Sequence, residues 1–185
     1  MQTVMDRLYD LAEPQAGYFT TAQARAVGVS KQELYYMRGR GDLRNVAHGI
    51  QRIVRFPATK HEDIMVACLW AGPRAVASHA TAMVVYGIGE TMPAVIHVTV
   101  PHRFRGKRSG VLVHQISLDS DEVTRRDGIP VTSPLRTIAD VATSNPAGAV
   151  AGLSDALDRG IVHTADLQDA AERYPATGRL LRGST

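Results

Sequence analysis

Apolar residues recur at helical spacing near the start of the chain, with Val4, Leu8 and Leu11 on one face before Glu13-Pro14-Gln15-Ala16-Gly17 ends the segment. A second segment, Thr20-Thr21-Ala22-Gln23-Ala24-Arg25-Ala26-Val27, is Ala-rich. It opens on threonines that can satisfy orphan backbone N–H groups and closes at Gly28, a residue suited to a left-handed position after a helix. After a turn through Gly28 and Val29, Ser30-Lys31-Gln32-Glu33 has the form Ser-x-x-Glu. In that form hydroxyl and carboxylate satisfy each other's backbone donors and start a helix, here running to about Arg38. Val29, Leu34 and Met37 form its inward stripe, which leaves Lys31, Gln32, Tyr35, Tyr36 and Arg38 for the other faces. Gly39 and Gly41 break this helix. Leu43-Arg44-Asn45-Val46, the turn Ala47-His48-Gly49 and Ile50-Gln51-Arg52-Ile53 then alternate as a half-buried hairpin, with Leu43, Val46, Ile50 and Ile53 on the apolar face. Arg44, Arg52 and the His48 tip are expected to project outward.

The remaining pattern predicts a second domain. Residues 57–60, within Phe56-Pro57-Ala58-Thr59-Lys60, read as a linker, and His61-Glu62-Asp63 places acid in the first turn of an apolar helix that stops before Gly72-Pro73. A shorter helix spans Ser78 to Tyr86, and β-branched residues mark Ala94 to Val100 as a strand, with Val111 to Ile116 expected as its antiparallel partner. Ser133 and Pro134 start a helix, Asn145-Pro146 starts another, and Thr164 is expected to cap a last one ending near Tyr174-Pro175. The fold class is therefore α+β. A winged helix-turn-helix domain over 1–56 precedes a mixed C-terminal domain over 61–175, with several helices and an antiparallel strand pair, and 176–185 form a flexible tail.

A helix pair with a wing is a DNA-reading arrangement. Lys and Arg bind phosphate or guanine, Gln pairs with adenine, and tyrosine hydroxyls reach phosphates. The candidate DNA-binding residues are Lys31, Gln32, Tyr35, Tyr36, Arg38, Arg40, Arg44, His48 and Arg52. A helix pair alone would suit an ordinary packing module equally well; the wing is what favours DNA. Charge points the same way, although the formal net charge is only +3. Bases dominate residues 1–60, whereas acids, among them Asp119, Asp121, Glu122, Asp155, Asp158, Asp166, Asp169 and Glu172, dominate 111–174. The first part suits a phosphate backbone, and the second suits solvent or a basic partner.

The run Gly-Asp-Leu-Arg-Asn-Val-Ala-His-Gly-Ile from Gly41 to Ile50, after such a helix pair, resembles the N-terminal winged helix of the AbiEi family of antitoxins. Later blocks resemble that family's second domain in the same order: Ser78-His79-Ala80-Thr81-Ala82, Tyr86-Gly87-Ile88, Ile96-His97-Val98-Thr99-Val100-Pro101, and Gly128-Ile129-Pro130-Val131-Thr132-Ser133-Pro134-Leu135-Arg136-Thr137 with Asp140. The resemblance covers roughly residues 5 to 170. It implies a type IV toxin-antitoxin system, in which the protein represses its own operon and neutralises a nucleotidyltransferase-like toxin, without necessarily forming a stable complex with it. The implied partners are operator DNA and that toxin, with no membrane and no cofactor.

Other chemistry is sparse. The loop Pro101 to Gly110 carries Arg103, Arg105, Lys107 and Arg108 without an acid, and is a candidate contact for DNA or toxin, with Phe104 as a stacking surface; a solvated hairpin tip is the alternative. Phosphate-loop, kinase catalytic-loop, His-Glu-x-x-His and Cys-x-x-Cys motifs are all missing from the sequence. His79, His97, His102 and His114 lie near one another in sequence, yet their spacing argues against a metal site, and His97 and His114 read as cross-strand neighbours. Arg136 and Asp140, four apart, read as a local salt bridge. No catalytic residue is assigned. Two further readings stand beside the antitoxin: covalent modification of the toxin, such as phosphotransfer through an atypical site, and a winged-helix repressor whose second domain senses a metabolite. Cys68, the single cysteine, sits in an apolar run and is expected to be a buried thiol. With no apolar span or signal-peptide pattern, the protein is expected in the cytoplasm.

Overall fold

The computed structural model describes residues 2–57, 59–90 and 92–183. The chain divides into two units: Met1–Pro73 with Asp127–Ile129, and Arg74–Arg126 with Pro130–Thr185. The expected boundary at 57–60 is thereby displaced to Pro73, and Ala58 within that linker lies outside the described residues. The reason is the helix after the linker. Its Glu62 carboxylate accepts from Tyr18 Oη at 2.6 Å and from Arg44 Nη2 at 2.6 Å, so the helix belongs with the residues before it.

In the first unit α1 (Val4–Ala12) starts at a capping box in which Thr3 and Asp6 satisfy each other's backbone donors. After a 3-10 turn come β1 (Tyr18–Thr20), α2 (Thr21–Ala26), α3 (Lys31–Gly39), β2 (Leu43–Ala47), β3 (Ile50–Ile53) and α4 (Glu62–Ala71). Thr20 with Gln23 and Ser30 with Glu33 form the caps of α2 and α3. The hairpin gains a third strand, β1, giving an antiparallel sheet ordered β1-β3-β2. Gly17 ahead of it adopts φ 88°, and a Cβ there would meet Phe56 at 2.5 Å, so neither conformation nor space admits a side chain. Leu8, Ala12, Phe19, Ala24, Val29, Leu34, Met37, Leu43 and Ile53 form the core, with Val4, Met5, Leu11, Val27 and Phe56 packed against it.

The central position of β3 changes one expectation. Because β1 and β2 flank it and both α1 and α4 pack on it, all four of its residues are buried. Arg52 does not project outward. It is 8% exposed, donates from Nη2 to the Phe56 carbonyl, and lies over the Tyr18 ring at 5.7 Å.

The second unit contains β4 (Val76–Ala77), α5 (His79–Tyr86), β5 (Ile96–Val100), β6 (Val111–Gln115), β7 (Val123–Arg126), β8 (Ile129–Thr132) from its second residue on, α6 (Pro134–Ala142), α7 (Pro146–Asp158), α8 (Leu167–Arg173) and α9 (Pro175–Gly183). Its five strands are ordered β6-β5-β4-β8-β7. β4 pairs antiparallel with β5 and parallel with β8, so the sheet is mixed. The expected antiparallel pairing of the two longest strands is wrong: β5 and β6 run parallel, from Ile96 opposite Val111 to Val100 opposite Gln115. Pro101–Gly110 is consequently no hairpin tip. It carries the chain back along the length of β5, a return that ten residues can span when extended.

Two other expectations change here. The tail is instead the helix α9, which packs against α6 and α7 and fully buries Thr177, while 184 and 185 lie outside the described residues. Thr164 opens a 3-10 turn that leads into α8 and does not cap it. Among the described residues no helix is long and apolar enough to cross a membrane.

Candidate functional site

The capping box sets the start of α3, and its buried stripe of Leu34 and Met37 against Val29 fixes which side turns outward. Lys31, Gln32, Tyr35, Tyr36 and Arg40 are all exposed on the other side. Tyr35 and Tyr36 are 73% and 64% exposed, an unusual state for aromatic rings, which ordinarily bury most of their surface. They border a groove of about 770 Å³ shared with Thr3, Val4 and Met5 at the start of α1. Arg38 lies 5.8 Å over the Tyr35 ring and Arg40 5.7 Å over Tyr36. Cations and aromatic faces thus alternate along one surface, a composition suited to a polyanion.

The remaining first-unit candidates divide by what already holds them. Arg38 is half-buried and donates from Nη1 to Gln51 Oε1 at 3.2 Å, bracing α3 against β3. Arg44 is exposed but ion-paired with Glu62 at 2.6 Å, and Arg40 pairs with Asp42 at 3.3 Å. His48 is exposed at the wing tip. Arg52, buried as described, is part of the scaffold.

In the second unit Arg103, Arg105, Lys107 and Arg108 are all exposed on the return loop, and the Phe104 amide donates to Gln115 Oε1 at 3.2 Å. The more elaborate chemistry is internal, and only its pieces are legible in the sequence. Parallel pairing sets His114 opposite Thr99, so His97, two residues earlier on the same face of β5, reaches it diagonally. His97 Nδ1 lies 3.0 Å from His114 Nε2. His79, the first residue of α5, stacks on His114 with ring centroids 3.8 Å apart. Three of the four sequence-clustered histidines therefore converge, with one ligand-capable nitrogen of each within 4.8 Å of the others, contrary to what spacing alone suggests. His102 stays exposed on the loop.

Around the histidines runs a polar network. The Ser78 hydroxyl, positioned to cap α5, makes no cap bond; it accepts from Thr99 Oγ1 at 2.8 Å and sits 3.0 Å from His79 Nδ1. His79 adopts φ 52°, a left-handed conformation costly for a non-glycine residue. Arg136 and Asp140 do form the expected pair at 2.8 Å, but Arg136 also donates to Glu122 at 3.0 Å, and Tyr174 Oη donates to the same carboxylate at 2.7 Å. Asp140 Oδ2 is buried with no hydrogen-bond partner, 3.9 Å from His79 Nδ1.

Environment sets the charges. Burial, followed by the neighbouring His114 and His97, pushes His79 down to about 3, and burial also holds His97 and His114 below the ordinary imidazole value. All three rings are neutral at neutral pH. Burial raises Asp140 against the pull of Arg136, whereas at Glu122 the hydrogen bonds from the Asp119 backbone, Tyr174 and Arg136 outweigh burial and lower it.

The fold is thus of a two-part class, a three-stranded winged helix-turn-helix joined in one chain to a mixed-sheet unit with a buried polar centre. Family comparison makes that specific. The model described as a transcriptional regulator, AbiEi antitoxin, matches residues 6–53, and the model of the AbiEi antitoxin C-terminal domain matches residues 74–182. The chain belongs to the AbiEi antitoxin family. Comparison with curated proteins gives no significant match. Among solved structures, the crystal structure of the RV2827C protein from Mycobacterium tuberculosis is similar in fold, with a TM-score of 0.51 and 18% identity over 98% of this chain and 77% of that one.

Proposed function

We propose that this protein represses its own operon by binding operator DNA through α3 and the wing, and that its second unit neutralises a cognate nucleotidyltransferase-like toxin. The observation that carries the DNA reading is the outward face of α3. Lys31, Gln32, Tyr35 and Tyr36 are exposed there, with Arg40 exposed just past its end, while Leu34 and Met37 of the same helix are buried. In that reading Gln32 contacts base edges, and Lys31, Arg40 and Arg44 contact phosphates, with His48 at the wing tip. The role of the second unit rests on the family to which it belongs.

A gel shift of the purified protein against its own upstream DNA, titrated with salt and with unrelated competitor, tests the repressor reading. A specific shift is expected, and the combined Lys31→Ala and Arg44→Ala variant should weaken it and lower the salt slope by about one for each phosphate no longer neutralised. Binding no tighter than to competitor would make α3 a packing helix. Coexpression with the neighbouring gene product tests neutralisation separately: growth should be rescued by the chain carrying the Lys31 and Arg44 substitutions.

A further inference from the structure

We propose that His79, His97 and His114 form a binding site for a single borderline divalent cation of the Zn2+ type, with one coordination position left open. The three residues come from three elements, α5, β5 and β6, and each offers one nitrogen within 4.8 Å of the other two. A tetrahedral ion with Zn–N bonds of about 2.0–2.1 Å holds its ligand nitrogens roughly 3.3 Å apart. His97 Nδ1 and His114 Nε2, at 3.0 Å, already stand close to that edge length. The third corner is not closed in this arrangement: the spacing within 4.8 Å exceeds that edge by up to about 1.5 Å, and His79, now stacked on His114 with centroids 3.8 Å apart, would have to shift to close it.

The protonation chemistry favours the ion without any net loss of protons. All three imidazoles are neutral, so each keeps one lone pair. His97 and His114 share a single N–H between them in the ion-free arrangement; moving the proton of one ring to its other nitrogen turns both facing atoms into donors toward a cation. At His79 the outer partners set the tautomer. Ser78 Oγ at 3.0 Å and the unpartnered Asp140 Oδ2 at 3.9 Å both face Nδ1, favour the proton there, and leave Nε2 for the ion. Arg136 holds Asp140 from its far side at 2.8 Å, so the carboxylate is fixed in this orientation. Imidazoles alone, without a carboxylate or carbonyl cage, select Zn2+, Co2+, Ni2+ or Cu2+ over Mg2+ or Ca2+. A cavity of about 620 Å³ lined by His79 and His97 lies beside the cluster, wide enough for the ion to enter and for a water or small anion to take the fourth position.

The test uses the full chain, stripped with a chelator and titrated with Co2+ and then Zn2+. The Co2+ absorption bands report tetrahedral nitrogen ligation, and displacement by Zn2+ gives its affinity. One equivalent is expected, with binding at least about 10-fold weaker in His97→Gln or His114→Gln and about 10- to 100-fold weaker in Asp140→Asn. Circular dichroism of each variant separates loss of ligand from loss of fold, and His114→Gln, half-buried on the edge strand, is the mildest of them. Absence of saturable one-to-one binding, or unchanged binding by the variant with all three histidines replaced by Gln, overturns the proposal and leaves a packed stack of neutral rings. Neither outcome depends on DNA binding.

Discussion

Helices α3 and α5 are each entered through an extended serine, and they use it in opposite ways. Ser30 accepts from the Glu33 amide at 3.2 Å while Glu33 reaches back to the Ser30 amide at 2.7 Å, so the cap is complete and α3 can expose its polar side chains. Ser78 gives α5 no such cap. Its hydroxyl is taken by Thr99 and His79, and the first residue of the helix is left in a left-handed conformation. Polar groups on α3 are thus arranged on the outside and made available, whereas those at the start of α5 are drawn inward and committed to one another. A serine before a helix identifies where the helix begins, but only its tertiary neighbours decide whether its hydroxyl serves the helix or a site.

The contrast can be broken most forcefully at Arg136, whose side chain is 13% exposed and is shared by Glu122 and Asp140. Arg136→Met removes the cation and leaves two carboxylates facing each other in the interior. A loss of about 3–5 kcal/mol in the second unit is expected by denaturant unfolding, and a loss under about 1 kcal/mol would show the network to be well hydrated. The serines offer the most direct comparison. Ser78→Ala strands the buried Thr99 hydroxyl and His79 Nδ1 and should cost about 1–3 kcal/mol. Ser30→Ala loses a cap at the surface and should cost about 1 kcal/mol. Equal effects at the two positions would remove the distinction.

Acid should distinguish the units more gently. His79, His97 and His114 have folded values below the ordinary 6.5, so the unfolded chain binds protons that the folded one refuses. The stability this represents is complete above pH 6.5 and is lost as pH falls below it, by at most about 1.4 kcal/mol per pH unit for each histidine. Unfolding of the second unit, compared at about pH 7.5 and about pH 5.5, should show the loss, and His79→Gln should reduce it. A flat profile would mean that the rings are solvated. The smallest effect belongs to Lys31→Ala, which should change stability by less than about 0.5 kcal/mol, since no packing is removed; a larger drop in the melting midpoint would place Lys31 among the structural residues.

Much of the first unit is legible in the sequence because its signals are local. Capping boxes, the Leu34 and Met37 stripe and the Gly-bounded hairpin each lie within a few residues of sequence. Arg52 misleads because alternation along Ile50–Ile53 describes a strand with one covered face, whereas β3 is paired on both edges and packed by both α1 and α4. Tyr18-Phe19-Thr20 and Val76-Ala77 are too short to display a period, and Val123-Thr124-Arg125-Arg126 reads as polar because it is an edge strand. Pro175 reads as a stop, yet proline starts helices as readily, and here it opens α9. The histidine cluster is hidden for a different reason. Strand direction decides whether His97 and His114 meet, and nothing within either strand specifies direction.

The parallel pairing of β5 and β6 also changes what the basic loop can become. Two parallel strands joined directly require a connection at least as long as the strand it retraces, so Pro101–Gly110 cannot be trimmed to a tight turn without dissolving the edge of the sheet. Substitutions can remove its charges one by one while the fold persists, but deletions cannot. The length of this segment belongs to the architecture, and only its composition is free to answer to a partner.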